Sequence, residues 1–332
     1  MDKTIREIKY GSAEYPELRT LWCEVFGDEP AYVDAFYENF GDDITGYAVT
    51  DETGAICSAL SCHLCGTYTG MPVYVSYAVC TRPDKRGQGL AAGLISYVRN
   101  KVIASGGVSI VSPAEPSLVS YYEKLGYEPH FFAIERAVMS PEYDLEEYDD
   151  FDEYDLDIEG ADPTPFRAEI DLQQISAEKY NKYREAFLTD QPHIEPCSRM
   201  LSMIESESMN GCGLYLVNRG DAICAVSYAD PVSVKVTELI LNPILKELSF
   251  DIDSEIASMI ARHFGAAEAL FTTPGPGRCQ SMICGLPPVS GNGIAEADET
   301  AGTTNTGRYE ETEEFSEYGG YIEKPYYGFP ID

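Results

Sequence analysis

A segment at residues 79–100, VCTRPDKRGQGLAAGLISYVRN, joins a predicted strand to a predicted helix through two glycines, Gly87 and Gly89. Apolar residues alternate before the turn and recur every four residues after it, which indicates a strand followed by an amphipathic helix. The first amides of a helix lack intrahelical partners and its dipole favours negative charge. Because glycine also lets a ligand approach the main chain, the turn is a candidate site for a phosphate.

Two common phosphate loops do not fit this segment, since the P-loop pattern is absent and the third small residue comes too early for a Rossmann turn. What remains, Arg86-x-x-Gly89-x-Ala91, resembles the pyrophosphate motif [QR]-x-x-G-x-[GA] of the GCN5-related N-acetyltransferases, the GNAT family. SYYEKLGYEPH at 120–130 resembles the FYEKLGF segment of that family, and LWCEVFGDEPAYVDAFYENF at 21–40 fits its first two helices.

The resemblance implies acetyl-CoA as cosubstrate. The one CxxC pattern, Cys62 to Cys65, has no second pair at the spacing of a zinc site, so no metal is expected. The resemblance also implies that the main chain at the end of the strand pairs with the pantetheine arm, and that the amides of the turn bind the pyrophosphate. The implied donor-binding residues are Val79, Cys80, Thr81, Arg86, Gly87, Gln88, Gly89, Leu90, Ala91 and Ala92. Tyr122, which matches the tyrosine of FYEKLGF, is implied as the acid that protonates the leaving thiolate.

The catalytic base is less well defined. The chain resembles the tandem enhanced-intracellular-survival acetyltransferases of mycobacteria, which implies the C-terminal carboxylate of Asp332. Glu115, at the expected mouth of the splayed strands, is a second candidate, and Asp28 or Glu29 at the corner between the first two helices are others.

Two parts of the sequence repeat one order of elements. GYAVTDETGAICSALS from 46 pairs with GLYLVNRGDAICAVSY from 213, and VYVSYAVC from 73 pairs with VKVTELIL from 234, but the second copy lacks the glycines. We therefore expect an α/β fold with an α+β mixed sheet. It would be a tandem GNAT acyl-CoA N-acyltransferase fold, and the second copy would be degenerate. The expected boundaries are a catalytic domain at 1–137, an acidic linker at 138–163, and a second domain at 164–332 with a mobile loop at about 289–320 and an ordered C-terminal strand.

Composition narrows the partners. The net charge of −33 argues against nucleic acid and suits a cationic acceptor. No apolar run is long enough to span a membrane, and the first residues do not resemble a secretory signal. Ten cysteines lie mostly in apolar runs, which is typical of reduced thiols in the cytoplasm. The four histidines form no triad or metal pattern.

These observations predict a cytoplasmic N-acetyltransferase, a transferase of the acyltransferase class. The acetyl group would pass from acetyl-CoA to a primary amine by direct attack in a ternary complex. The acceptor would be a cationic small molecule or peptide, such as an aminoglycoside, a polyamine or a lysine. The alternative is a non-catalytic module that binds acyl-CoA as a sensor or an assembly subunit. Transfer of a longer acyl group stays open, and a homo-oligomer is compatible with the sequence.

Overall fold

The computed structural model describes residues 4–142, 170–207, 212–246 and 251–287. We call residues 4–142 the first half of the chain and residues 170–287 the second half. The strands are β1 (Thr4–Ile8), β2 (Ile44–Thr50), β3 (Ile56–Tyr68), β4 (Met71–Thr81), β5 (Val108–Val111), β6 (Glu128–Met139), β7 (Leu172–Gln174), β8 (Glu195–Pro196), β9 (Gly213–Val217), β10 (Ala222–Ala229), β11 (Ser233–Leu241), β12 (Glu268–Pro274) and β13 (Arg278–Cys284). The helices are α1 (Tyr15–Phe26), α2 (Pro30–Phe40), α3 (Leu90–Ala104), α4 (Val119–Glu123), α5 (Ala177–Phe187), α6 (Ser198–Glu207), α7 (Pro243–Lys246) and α8 (Ile252–Phe264).

Local sequence sets the ends of helices α1 and α2 and of the β2–β3 hairpin. Helix α1 has a proline in its first turn and ends at Gly27, whose φ of 81° is left-handed and suits glycine. Helix α2 begins with Pro30. The turn between β2 and β3 is closed by the Asp51 carboxylate, which accepts hydrogen bonds from the amides of Thr53 and Ala55. These short-range rules explain why helices and hairpin fall where the periodicity predicts them.

All the strands join one mixed sheet in the order β1-β2-β3-β4-β5-β13-β6-β12-β11-β10-β9-β7, with β8 paired to β3. Parallel pairing occurs between β4 and β5 and between β11 and β12. The β4–β5 pairing covers only Val73–Val75 and Val108–Ile110, although β4 continues to Thr81. A bulge at Ala78, where φ is 50°, accompanies this separation. The two strands therefore form a V whose open end lies beside the glycine turn.

The two halves exchange strands at the centre of the sheet. β13, from the second half, lies between β5 and β6 and is antiparallel to both. β6, from the first half, lies between β13 and β12. Each half is thus completed by a strand from the other.

Buried residues form three clusters. The largest draws on both halves, with Trp22 and Phe36 from the α1–α2 side and Tyr180 from α5. The second packs α8 on the second half of the sheet, and the third packs α3 and α4 on the first half. Within the largest cluster's region, Glu238 is fully buried and accepts from Arg184 Nε at 3.1 Å and from the Tyr180 hydroxyl at 2.8 Å.

The predicted mixed α/β fold is confirmed. A helix pair, a hairpin, a strand, a helix and a strand follow one another in both halves. The second half as a degenerate copy, and the domain boundaries, stay predictions; β6 runs to Met139, past the expected end of the first domain at 137. Most of the acidic linker, the loop at about 289–320 and the C-terminal strand lie outside the described residues.

Candidate active site

The glycine turn has a left-handed backbone at both glycines. φ is 76° at Gly87 and 69° at Gly89, and a Cβ built at either position would meet no other atom within 4 Å. Residues other than glycine rarely adopt this conformation, so the backbone itself accounts for both glycines. Since nothing in the described structure fills the space beside them, the turn is also open to a ligand.

Helix α3 begins at this turn without a side-chain cap. Gly89 is the N-cap residue, and its carbonyl accepts the Gly93 amide at 3.0 Å. The amides of Leu90, Ala91 and Ala92 precede that first intrahelical bond and so have no intrahelical partner. Arg86 Nε donates to the Thr81 carbonyl at 3.2 Å, which ties the turn to the end of β4. The arrangement presents several N–H groups and the positive end of a helix dipole to one point, which suits a phosphate.

The end of β4 is held firmly on its β3 side. The Ser58 hydroxyl, fully buried, donates to the Cys80 carbonyl at 2.9 Å and lies 2.9 Å from Thr81 Oγ1. On the other side, the pairing with β5 has already ended at Val75. Val79, Cys80 and Thr81 thus present a fixed strand edge to the opening of the V. Burial raises the pKa of the Cys80 thiol to about 12, so this group stays protonated and is a poor nucleophile.

Tyr122 lies on α4 in the same buried cluster as Leu90, the first residue of α3, and Val79 packs against that cluster. Its ring contacts Tyr127, with centroids 6.1 Å apart. Burial, with a smaller effect from Tyr121, raises the pKa of Tyr122 to about 12, so the phenol is protonated at neutral pH. Its hydroxyl has no hydrogen-bond partner among the residues that the structure describes. Tyr122 can therefore serve as a proton donor to a ligand.

The candidate bases differ in their surroundings. Glu115 is exposed at the start of the short 3-10 helix Pro116–Leu118, where it accepts from the Ser117 hydroxyl at 3.2 Å. Asp28 accepts a hydrogen bond from Trp22 Nε1 at 2.6 Å, and Glu29 is exposed at the N-cap of α2. Asp332 lies outside the described residues.

An aromatic cluster on the α1–α2 face of β4 was not anticipated from the sequence. The Tyr77 ring stacks on Phe36 with centroids 5.2 Å apart and meets Trp22 edge-on at 5.5 Å. Tyr77 directly precedes the bulge at Ala78, so the cluster lies next to the point where β4 leaves β5. Through Trp22 the cluster also reaches the Asp28 carboxylate.

Strand β13 brings residues of the second half to the mouth of the V. Arg278 donates through Nη2 to the Ala114 carbonyl at 3.2 Å and pairs through Nη1 with Glu135 at 3.2 Å. Ser281, fully buried, shares a hydrogen bond of 2.7 Å with the Ser112 hydroxyl. Both contacts hold the loop after β5, which carries Glu115. Nothing local in the sequence indicates them, because they depend on the exchange of strands.

Within the described segments, no group of three or more histidine, cysteine, aspartate or glutamate side chains is placed to hold a metal ion. No helix there is long and apolar enough to cross a membrane.

Comparison with known proteins agrees with this geometry. A family model described as an acetyltransferase (GNAT) domain matches residues 4–130. No curated protein matches the sequence. Among solved structures, a conserved protein of Enterococcus faecalis V583, described as a probable N-acyltransferase, is 13% identical with a TM-score of 0.59, and the match covers 84% of this chain and 72% of that one.

Two further structures match over a similar length. A GCN5-related N-acetyltransferase from Kribbella flavida is 14% identical, with a TM-score of 0.55 and coverage of 85% of this chain and 71% of that one. Eis1 of Mycobacterium abscessus is 11% identical, with a TM-score of 0.50 and coverage of 84% and 73%. At such identities the likeness shows a shared fold. Residues 4–130 therefore form a GNAT acetyltransferase domain, as the sequence motifs predicted.

Proposed function

We propose that the protein transfers an acetyl group from acetyl-CoA to a primary amine. The observation that carries the proposal is the open glycine turn at the start of α3, placed beside the unpaired edge of β4. The amides of residues 87–92 would bind the pyrophosphate, with Arg86 holding the turn in place. The edge of β4 at Val79–Thr81 would pair with the amide groups of the pantetheine arm.

The chemistry follows from these positions. A main-chain N–H at the end of β4 would donate to the thioester carbonyl and stabilise the negative charge that develops there. The neutral amine attacks the carbonyl carbon, the C–S bond breaks, and the CoA thiolate leaves. Tyr122, protonated because burial raises its pKa, would donate its proton to that thiolate. The base that takes a proton from the ammonium would be Glu115, in the loop that Arg278 of β13 holds at the Ala114 carbonyl, or the carboxylate of Asp332.

The acceptor we propose is a cationic amine, either a small molecule or a lysine-containing peptide. The net charge of −33 favours the approach of cations. Asp28 and the exposed Glu29 stand at the corner between α1 and α2, where the buried Trp22 holds the Asp28 carboxylate through Nε1. Two carboxylates at one corner attract an ammonium ion. We also place the enzyme in the cytoplasm, because all ten cysteines are free thiols.

The test is turnover with acetyl-CoA and a panel of amines: an aminoglycoside, a polyamine and a lysine peptide. Release of the CoA thiol would be followed together with the mass of the acceptor. We expect thiol release and a gain of one acetyl group for at least one amine, and neither change when the reactive amine is replaced by a hydroxyl. Tight CoA binding without transfer to any amine would favour the sensor or assembly module instead.

A further inference from the structure

A cavity of about 180 Å³ lies where the second pair of parallel strands separates. β11 and β12 pair only over Ser233–Val236 and Glu268–Phe271, and each then continues without its partner. The far ends of both strands line the cavity, together with β6 and the start of α8. The cavity thus lies in the opening between β11 and β12, which corresponds to the opening between β4 and β5 beside the glycine turn.

The walls of the cavity combine apolar side chains with two cations, a threonine and one carboxylate. Ile134 from β6, Leu239 and Leu241 from β11, and Ile252 from α8 supply apolar surface. Arg136 and Lys246 supply positive charge. The volume equals that of about six water molecules in the liquid, so a ligand of about seven non-hydrogen atoms fits.

Arg136 is held in position but keeps one donor without a partner. Its Nη1 lies 3.5 Å from Asp251 Oδ1 and 3.4 Å from Ser254 Oγ, and its Nη2 pairs with Asp253. The guanidinium carbon lies 5.2 Å from the centre of the Phe271 ring. The Nε–H is buried and has no acceptor among the described residues. A buried donor without an acceptor is costly, which favours a ligand oxygen at this point.

Lys246 adds a second, uncompensated positive charge. It is exposed at the end of α7 and forms no ion pair with any residue that the structure describes. Among the described residues, Asp253 supplies the one carboxylate of the lining, and both Asp253 and the exposed Asp251 engage Arg136. An amine would therefore meet the uncompensated charge of Lys246, whereas a carboxylate would find that charge and the unpartnered Nε–H of Arg136. A large phosphate ester is disfavoured because no glycine turn with free amides precedes α8.

We propose that this cavity is a second ligand site, distinct from the acetyl transfer site, that binds a short-chain organic carboxylate. The carboxylate would accept from Arg136 Nε–H and from the Lys246 ammonium, and the alkyl chain would pack between Ile134, Leu239 and Ile252.

The experiment is a titration of the full chain with sodium pentanoate, observed through isoleucine methyl resonances. We expect saturable shifts at millimolar concentration for Ile134 and Ile252, and none for Ile44 in the other half. Lys246→Met should weaken binding about tenfold, since it removes one charge-assisted hydrogen bond. Arg262→Met, which removes an exposed cation of α8 that is paired with Glu142, should leave the affinity unchanged.

Neutral pentanamide and cationic pentylamine distinguish recognition of charge from filling of an apolar space. Both should bind at least about tenfold more weakly than pentanoate. The proposal fails if pentanoate produces no saturable shift at Ile134 and Ile252, if pentanamide binds equally well, or if Lys246→Met and Arg262→Met behave alike. Arg136→Met is a second test of the site, used only if thermal unfolding shows that the variant stays folded. None of these results depends on acetyl transfer.

Discussion

The glycine turn permits a test in which the shape of the side chain stays constant and only its charge changes. We compare Gly89→Asp with Gly89→Asn. The backbone at Gly89, with φ of 69° and ψ of 19°, is left-handed, and aspartate and asparagine tolerate that conformation better than other residues. A new Cβ there would meet no atom within 4 Å. Both variants should therefore fold, with an unfolding free energy within about 2 kcal/mol of the wild type.

The expected effect of the charge is worked for a new carboxylate about 4 Å from the pyrophosphate. Two unit charges 4 Å apart repel by about 1 kcal/mol in water and about 4 kcal/mol at an effective dielectric constant of 20. Gly89 is exposed, so the lower part of this range applies. About 1–2 kcal/mol corresponds to a roughly fivefold to thirtyfold weaker affinity of Gly89→Asp for acetyl-CoA relative to Gly89→Asn.

The measurement is titration calorimetry with acetyl-CoA at low and high salt, with thermal unfolding of each variant without ligand. Salt should narrow the difference between the two variants, because exposed charges are screened. Gly54 supplies the control: its φ is 89°, a Cβ there also meets nothing within 4 Å, and it lies in the β2–β3 turn. Gly54→Asp and Gly54→Asn should bind acetyl-CoA equally. Equal affinities of the two Gly89 variants would refute an anion site at this turn.

Three further outcomes are expected. Tyr122→Phe should lower kcat at least about a hundredfold and should keep the acetyl-CoA affinity within about twofold of the wild type. Tyr121→Phe should lower kcat far less than about a hundredfold. Steady-state kinetics measures kcat, and calorimetry measures the affinity. His63 is fully buried, and neither ring nitrogen has a hydrogen-bond partner among the described residues. Burial lowers the pKa of His63 to about 3. The stabilising contribution of the neutral ring is therefore present above pH 6.5 and is lost as pH falls towards 3. Between about pH 7 and pH 5 the wild type should lose about 2 kcal/mol of unfolding free energy relative to His63→Leu in urea titrations; parallel pH profiles would contradict the assignment. Glu238→Ala removes the buried carboxylate that pairs with Arg184 and leaves Glu185, 3.7 Å from Nη1, as a remaining ion-pair partner. The unfolding free energy should fall by about 3 kcal/mol, most of which Arg184→Met should restore in the double variant.

The parts of the fold that local rules determine could be predicted from the sequence. The strand, turn and helix around Gly87 and Gly89 follow from periodicity and from the cost of glycine in a helix. The reason assigned to the glycines was incomplete, however. Close approach of a ligand was expected to explain them, whereas the left-handed φ at both positions favours glycine even without a ligand. Sequence alone does not distinguish these causes, because both select the same residue.

Long-range pairing could not be predicted. β13 joins β5 although the paired residues, such as Met282 and Val111, are far apart in the chain, and both strands are ordinary apolar runs. No turn residue or periodicity marks such a partner. For that reason the contacts of Arg278 with Ala114 and Glu135 were not foreseen, nor was the aromatic cluster around Tyr77, whose members come from three separate elements.

The exchange of strands gives a physical reason for the chain to keep a second half that lacks the glycine turn. Without β13, the edges of β5 and β6 would lose their partners, and unpaired backbone at the centre of a sheet is costly and prone to aggregate. The loop that carries Glu115 would also lose its bonds to Arg278 and Ser281. The second half could therefore lack a glycine turn at little cost to the fold, but it could not lose its last described strand without opening the sheet beside the candidate active site.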